Sequence, residues 1–546
     1  MKFNPGSLDF NEIVRTPDGH HIGTVQCFPT QFALHGVEFQ ISNDTSGGRF
    51  KIISVSVFDM ETGPAGHPGA ATLVTESDGT RPLSFSKGQL VEVKIEYLVE
   101  TVPLPAGTFS ATLLIRGQRF GSTRKDSASI PLHASSLKRL LVVLDGRFTL
   151  KNGKPDGTHY ASFGPGDPTT VDSPSADNYF GLSEVIRTLQ ALPLFRVVKA
   201  HRDLDPTDFT TLSAADQVLL RPDFEHFKFD EHDLSQFDQM WLFGVGGPSD
   251  TDPVSDAELI AIARFMNGGG GMFATGDHEN LGQPLCSRVL RVRSMRKWFF
   301  PTVGPDGEPI APPGGTASNA AQRMDTTQPG HRETRSSPDF AFSDQSDDIP
   351  QPITPTPAGL AHPLLKLSDG RILSVLPDHM HEGEVIDPSD PQFQFSATMT
   401  YNKGKAGEQT FVEYPRAHDG RQLSPQILAT GTVLGGHTTR AFEQAHVGSP
   451  TPTQEPDRVF GVIGAYDGHQ VGVGRVCVDS TWHHFFDINL IGDPVAKTAD
   501  PGTVPPVEED FIKNHGFKAT ADGRAHLADI EGYYRNIATW LARAGA

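Results

Sequence analysis

Phe237-Asp-Gln-Met-Trp-Leu-Phe-Gly-Val-Gly246, Val254–Met266 and Gly268-Gly-Gly-Gly-Met-Phe-Ala-Thr-Gly-Asp-His-Glu-Asn280 decide how the larger part of this chain is read. The first stretch is an apolar strand that ends in glycines. The second has apolar residues at helical spacing. The third is a glycine stop, a short apolar strand and a sharp polar turn that carries Asp277, His278 and Glu279. Strand, helix, strand and polar turn is the order in which an open α/β sheet builds a reactive site at the carboxyl ends of its strands.

Outward from this stretch the same theme recurs. Leu140-Leu-Val-Val-Leu144 is a continuous apolar run, as strands covered on both faces require. Tyr179–Leu192 places Leu182, Val185, Ile186 and Leu189 at helical spacing, and Phe195-Arg-Val-Val-Lys199 reads as a further strand. Later strand candidates are Arg371–Leu376, Thr410–Tyr414, Gln426–Thr430, Val459–Ile463 and Val473–Asp479. The expected fold of this region is an α/β doubly wound, flavodoxin-like sheet. A long insertion at 304–360, rich in Pro, Gly, Ser, Thr and Asp, reads as a flexible segment or lid. Near the C-terminus Leu527, Ile530, Tyr533, Ile537, Trp540 and Leu541 fall near one face of a helix, expected to pack on the α/β region.

The N-terminal region differs. Val37–Ser42, Phe50–Val57, Leu90–Tyr97 and Gly107–Ile115 alternate apolar and polar residues, separated by Asn43-Asp-Thr-Ser-Gly-Gly and Pro103-Leu-Pro-Ala-Gly. An all-β immunoglobulin-like sandwich is expected. The expected division is 1–134 sandwich, 135–495 α/β domain and 496–546 C-terminal extension.

At 546 residues, more than one domain is expected. A net charge of -20 argues against a nucleic acid held by phosphate contacts. The densest basic run, Arg291-Val-Arg-Ser-Met-Arg-Lys297, is short and reads as a solvated helical face. Cys27, Cys286 and Cys477 are too scattered for a disulfide framework or a zinc finger. The N-terminal residues lack a signal-peptide core and no apolar run is long enough for a membrane span, so a cytoplasmic protein with no membrane partner is expected. A small-molecule substrate is the expected partner, and a homo-oligomer is compatible with the sequence.

Three histidine-bearing turns follow strand candidates. Pro377-Asp-His-Met-His-Glu-Gly-Glu384 places His379 and His381 two apart, so both imidazoles project to one side of an extended chain, beside Glu382. Nitrogen and oxygen donors in that pattern suit zinc or iron. Asp479-Ser-Thr-Trp-His-His-Phe-Phe-Asp487 offers His483 and His484, of which one is expected to enter the site because neighbours on a strand face opposite ways. Asp479 and Asp487 are positioned to orient an imidazole. In the first turn Asp277 or Glu279 is a candidate base and His278 a ligand or base; Asp277 equally suits a helix N-cap.

The strand Phe237–Val245, the helix after it, the Gly268–Thr275 strand entering its turn, and the late strand Arg475–Asp479 leading to histidine together resemble the class I glutamine-amidotransferase-like superfamily, including its trehalose-utilisation-type branch. The resemblance covers about 137–300 and 426–490. It implies a crevice at the strand ends, with a nucleophilic cysteine at the elbow and a histidine after the late strand. This chain has His483 or His484, but Asp277 and His278 stand at the elbow in place of cysteine, so thioester chemistry is not expected.

The expected function is a metal-assisted hydrolase of an amide or a carbohydrate derivative. A divalent zinc or iron ion held by His379, His381, Glu382 and His484 would activate a water, with Asp277, His278, Glu279 and His483 as the catalytic set. The alternatives are a non-catalytic binding or scaffold protein and a metal-free Asp–His hydrolase.

Overall fold

The computed structural model describes residues 2–4, 7–12, 21–28, 33–60, 71–86, 89–98, 107–146, 150–151, 154–155, 160–163, 179–204, 210, 214–247, 251–277, 281–296, 302–303, 309–310, 339–340, 350–377, 384–389, 398–417, 419–433, 438–439, 458–491, 516–518 and 520–542. The chain divides into two compact units, Met1–Lys138 with Gly545–Ala546, and Arg139–Ala544.

The first unit is a β-sandwich. One sheet has the order β1 (Lys2–Asn4), β3 (His21–Phe28), β8 (Leu90–Tyr97), β5 (Phe50–Met60), β6 (Ala71–Ser77). The other runs β2 (Leu8–Glu12), β10 (Lys125–Ser136), β9 (Gly107–Arg119), β4 (Leu34–Ser42), β7 (Leu83–Phe85). Alternation sets the faces. In β8, Val91, Val93, Ile95 and Tyr97 are fully buried and Glu92, Lys94 and Glu96 face outward. They meet Leu113, Ile115, Ile130 and Leu132 of the opposite sheet in one apolar core. Between β4 and β5, the Asp44 carboxylate accepts from the N–H groups of Ser46 and Gly48 and fixes the turn.

The second unit is built on an eight-stranded sheet. Its order is β12 (Phe195–His201), β11 (Lys138–Leu144), β13 (Gln239–Phe243), β14 (Gly271–Thr275), β18 (Val476–Asp479), β17 (Arg458–Tyr466), β16 (Gln426–Val433), β15 (Thr354–Pro355). The pairs β11–β13, β13–β14 and β14–β18 are parallel, whereas β18–β17, β17–β16 and β16–β15 are antiparallel. Leu140–Leu144, Met240–Phe243 and Met272–Ala274 are fully buried, which explains their unbroken apolar sequence.

Helix α2 (Asp256–Asn267) opens with a capping box. Ser255 Oγ accepts from the Glu258 N–H, and the Glu258 carboxylate accepts from the Ser255 N–H. The helix stops at the glycine run, and the run has a steric reason. A Cβ on Gly271 would lie 2.2 Å from the Leu541 carbonyl oxygen. Helix α3 (Ala521–Leu541) buries Leu527, Ile530, Tyr533, Tyr534, Ile537 and Leu541 against the same core as Trp241, Phe273 and Phe485. Helix α1 (Ser183–Gln190) has no side-chain cap from its own N-cap residue, Leu182. Asp487, about 300 residues later in sequence, supplies it instead by accepting from the N–H groups of Ser183 and Glu184.

The expected α/β doubly wound, flavodoxin-like domain is corrected by this arrangement. That fold needs crossover helices covering both faces of a parallel sheet. The described residues hold many more strands than helices, and one end of the eight-stranded sheet, β18 to β15, is antiparallel. Antiparallel neighbours need no crossover helix, so helix is sparse where the sequence pattern led one to expect it. Of the 304–360 insertion, 309–310, 339–340 and 350–360 are among the described residues, and the rest lies outside them.

Candidate functional site: two buried aspartate–histidine pairs at the strand ends

Register sets the site. Leu144 pairs with Phe243, Phe243 with Thr275, and Ala274 with Val478. Asp145, Gly244, Gly276 and Ser480 therefore leave the sheet at one level, and four neighbouring parallel strands end together. Asp277 follows β14, Asp479 ends β18, and the turn Trp482–His484 comes next. The Trp482 N–H donates to the Gly276 carbonyl at 3.0 Å and ties that turn to the end of β14.

Both histidines of the turn are buried. The expectation that only one would enter assumed extended backbone. Trp482–His484 is a 3-10 turn, capped by Thr481 Oγ1 accepting from the His483 N–H, so successive side chains do not alternate between two faces. His484 Nδ1 lies 2.6 Å from Asp479 Oδ1. The other Asp479 oxygen accepts from the Tyr533 hydroxyl at 2.9 Å. A carboxylate only accepts, so the network assigns the proton to Nδ1 of His484. Nε2 of His484 has no hydrogen-bond partner among the described residues. Burial and the Asp479 carboxylate push the Tyr533 phenol well above its ordinary range, which keeps it a donor.

The second pair is Asp277 and His483. His483 Nε2 is 3.3 Å from Asp277 Oδ2, and Nδ1 is 2.9 Å from Asn489 Oδ1. Asp277 Oδ1 accepts from the Thr481 hydroxyl at 2.9 Å. The residues whose N–H groups an Asp277 cap would bind, 279 and 280, lie outside the described residues; the described helical turn after it, Gln283–Cys286, starts from Gly282. Trp482 packs over the His483 ring with centroids 4.0 Å apart.

Arg296 lies beneath both pairs, fully buried. It donates to the carbonyl oxygens of Ser480 at 2.6 Å, Asp277 at 3.1 Å and Asp479 at 3.1 Å. Burial lowers its guanidinium to about 10, against the opposing pull of Asp277, Cys286 and Asp479. The basic run around it is not a solvated face. Arg291 is fully buried and donates to the Glu413 carbonyl, and Arg293 pairs with the Glu413 carboxylate.

At the end of β11, Asp145 Oδ1 accepts from the N–H groups of Val245 at 2.5 Å and Gly246 at 3.0 Å. Burial, then the charge of Asp203, pushes its carboxyl up to about 7. Cys286 is fully buried with its thiol pushed well above its ordinary value by burial and by Asp145. That is the setting of a packing residue and not of a thiolate nucleophile.

Of the other sequence candidates, His278, Glu279, His379, His381 and Glu382 lie outside the described residues. The metal-binding description is corrected. Among the described residues no group of three or more His, Cys, Asp and Glu side chains could hold an ion. His484, expected as a ligand, is engaged at Nδ1 by Asp479 inside an aromatic shell of Phe485, Tyr533 and Tyr534. Asp487, expected to orient an imidazole, caps α1 instead. Sequence reasoning missed Tyr533, Asn489, Thr481 and the buried role of Arg296. Only the amphipathic stripe containing Tyr533 gave a signal that it faces inward.

No family model matches the chain, and no curated protein matches it. Solved structures match weakly. The E. coli chaperone DraB is 11% identical, over 25% of this chain and 54% of that one, at a TM-score of 0.16. This chain therefore spans about half of that chaperone's length. The ASH/PapD-like domain 7 of human CEP192 is 8% identical over 25% of this chain and 84% of that one, at 0.15. A family 123 glycoside hydrolase from Clostridium perfringens is 8% identical over 49% of this chain and 68% of that one, at 0.17. Scores this low carry no argument about activity. The glutamine-amidotransferase-like resemblance, with its trehalose-utilisation-type branch, is corrected. No family model supports it, strands dominate the described fold, and one end of the main sheet is antiparallel. Among the described residues no helix is long and apolar enough to cross a membrane.

Proposed function

We propose that this protein is a hydrolase of the Asp–His type, acting on an amide or a carbohydrate-derived small molecule without help from a metal ion. The observation that carries the reading is the Asp479–His484 pair. Its Nδ1 is held at 2.6 Å by a carboxylate that Tyr533 holds in turn, and its Nε2 is left without a partner among the described residues. An imidazole oriented through one nitrogen and unpartnered at the other, though buried, has the donor–acceptor pattern of a general base. In the proposed reaction Nε2 takes a proton from water as the water oxygen bonds to the scissile carbon. The carbon–nitrogen or carbon–oxygen bond then breaks, and the imidazolium returns the proton to the leaving group. Asp277 and His483 lie 3.3 Å apart on the adjoining strand end, within ion-pair distance but with Asp277 Oδ2 making no hydrogen bond among the described residues.

The test is hydrolysis of a panel of amide and glycoside substrates by chelator-treated wild-type protein, beside His484→Gln and Asp479→Asn. Turnover that survives chelation and drops by ~10²–10⁴-fold in His484→Gln is the expected result. No turnover on any substrate, or turnover indifferent to His484, rejects the proposal.

A further inference from the structure

We propose that Arg296 is a positioning residue for both aspartate–histidine pairs, its guanidinium clamping the ends of β14 and β18 so that Asp277 and Asp479 meet His483 and His484. The inference rests on the hydrolase reading for its catalytic meaning, but its geometry stands apart from it.

Arg296 donates to three main-chain carbonyls, those of Asp277, Asp479 and Ser480. Two of these belong to Asp479, which orients His484, and to Asp277, which lies beside His483, and the third to the residue between Asp479 and the histidine turn. The fork spans two strands that are adjacent in space and about 200 residues apart in sequence. A planar guanidinium reaches three carbonyls with fixed angles, which a lysine ammonium on a flexible stem does not reproduce. The group is also a fully buried cation, and such a charge is stable only beside compensating anions. Asp277 and Asp479 are the carboxylates that act on it. The other ionisable groups facing this cluster are His483, His484, the Tyr533 and Tyr534 phenols, and the Cys286 and Cys477 thiols. The thiols and phenols are pushed up by burial and stay neutral, so the guanidinium is a permanent cation beside the two carboxylates. A side chain that bonds to backbone at three points and lies beside both carboxylates sets where those carboxylates sit. Nothing in the short basic run Arg291–Lys297 distinguishes Arg296 from its neighbours; its place at the junction of two strand ends does.

The experiment needs no substrate. Imidazole N–H protons held by carboxylates give far-downfield proton NMR signals, here assigned with His483→Gln and His484→Gln. Arg296→Met and Arg296→Lys are compared with wild type, with His362, which caps the turn at Leu364 and packs on Trp540, as an internal control. We expect the His484 signal to vanish in Arg296→Met and to move in Arg296→Lys, with the His362 ring unchanged. A folded Arg296→Met protein with wild-type signals overturns the proposal, as does a lowered melting temperature with no change in those signals. Should Arg296→Met not fold, Arg296→Lys decides: signals unchanged overturn the proposal, and signals moved at His484 but not at His362 support it. Arg296-dependent signals in a protein that hydrolyses nothing would remove the hydrolase reading and leave the positioning role. Turnover with signals indifferent to Arg296 would do the reverse.

Discussion

The two units bury polar groups in opposite ways. Among the described residues of the sandwich, the polar side chains in the buried interior are Ser46, Ser56 and Ser136. The second unit buries Asp145, Glu258, Asp277, Arg291, Arg293, Arg296, Glu413, Asp479, His483 and His484, among others. Burying charge is costly unless each group is paired and hydrogen-bonded. A sandwich that does without it is stabilised by apolar packing. A unit that gathers Asp145, Asp277, Arg296, Asp479, His483 and His484 at the ends of four strands has a constraint beyond stability, since perturbed and paired ionisable groups cluster at functional sites.

The sharpest way to break this contrast is to remove one partner of the second unit's network. Asp479→Ala leaves Arg296 under-compensated and strips His484 and Tyr533 of their acceptor. A loss on the order of 3–5 kcal/mol is expected. It should be read by urea unfolding, with hydrogen exchange accelerating in β14 and β18 while Val91–Ile95 of β8 stay protected. Equal acceleration in both units would dissolve the distinction.

Ile95→Ala makes the complementary cut. It should cost about 2–5 kcal/mol through a cavity in the sandwich core, loosening β8 and β9 and leaving the downfield imidazole signals in place.

Asp145→Asn tests the charge term by itself. The wild-type carboxyl is raised from 3.8 to about 7 in the folded state. Between about pH 4 and about pH 7 the folded chain therefore holds a proton that the unfolded chain has released, so this group's contribution to stability falls as pH rises through that window. Asparagine keeps an oxygen acceptor for the Val245 and Gly246 N–H groups and removes the slope. The variant should exceed wild type above about pH 7, by no more than roughly 4 kcal/mol at ~1.4 kcal/mol per unit, and match it below about pH 4. Parallel stability–pH curves for the two proteins would show that Asp145 is not the titrating group.

The smallest expected effect is Ser255→Ala, about 1 kcal/mol from loss of the capping box. It is measured as a shift in the urea midpoint, and no shift would mean that Glu258, tied to Arg202, holds the helix start alone.

Part of this molecule could be read in advance, and the rest could not, for physical reasons. Apolar runs mark strands wherever both faces are covered, so Leu140–Leu144 and Gly271–Thr275 stand where the sequence pattern puts strands. Strand direction carries no such mark. The chain from β18 to β15 is antiparallel because of pairings between residues as distant as Thr354 and Thr430, which leave no local trace. The site behaves likewise. Asp277, His483 and His484 announce themselves as polar residues after apolar strands. Tyr533 reaches Asp479 from a helix 54 positions away, and Arg296 looks like any arginine in a basic run. The histidine turn departs from the extended-chain expectation because adjacent residues on extended chain diverge, whereas those in a 3-10 turn need not.

The cap that Asp487 places on α1 also has a consequence for biosynthesis. A ribosome delivers Ser183 long before Asp487, and α3 later still, so α1 waits through most of translation without its cap and the second unit without a major wall of its core. The sandwich is complete once Ser136 has emerged. The two units thus mature on different clocks, the first during synthesis and the second near its end. Ribosome-bound chains halted before residue 487 should show a protease-resistant sandwich followed by a protease-sensitive second unit, and resistance throughout would contradict that order.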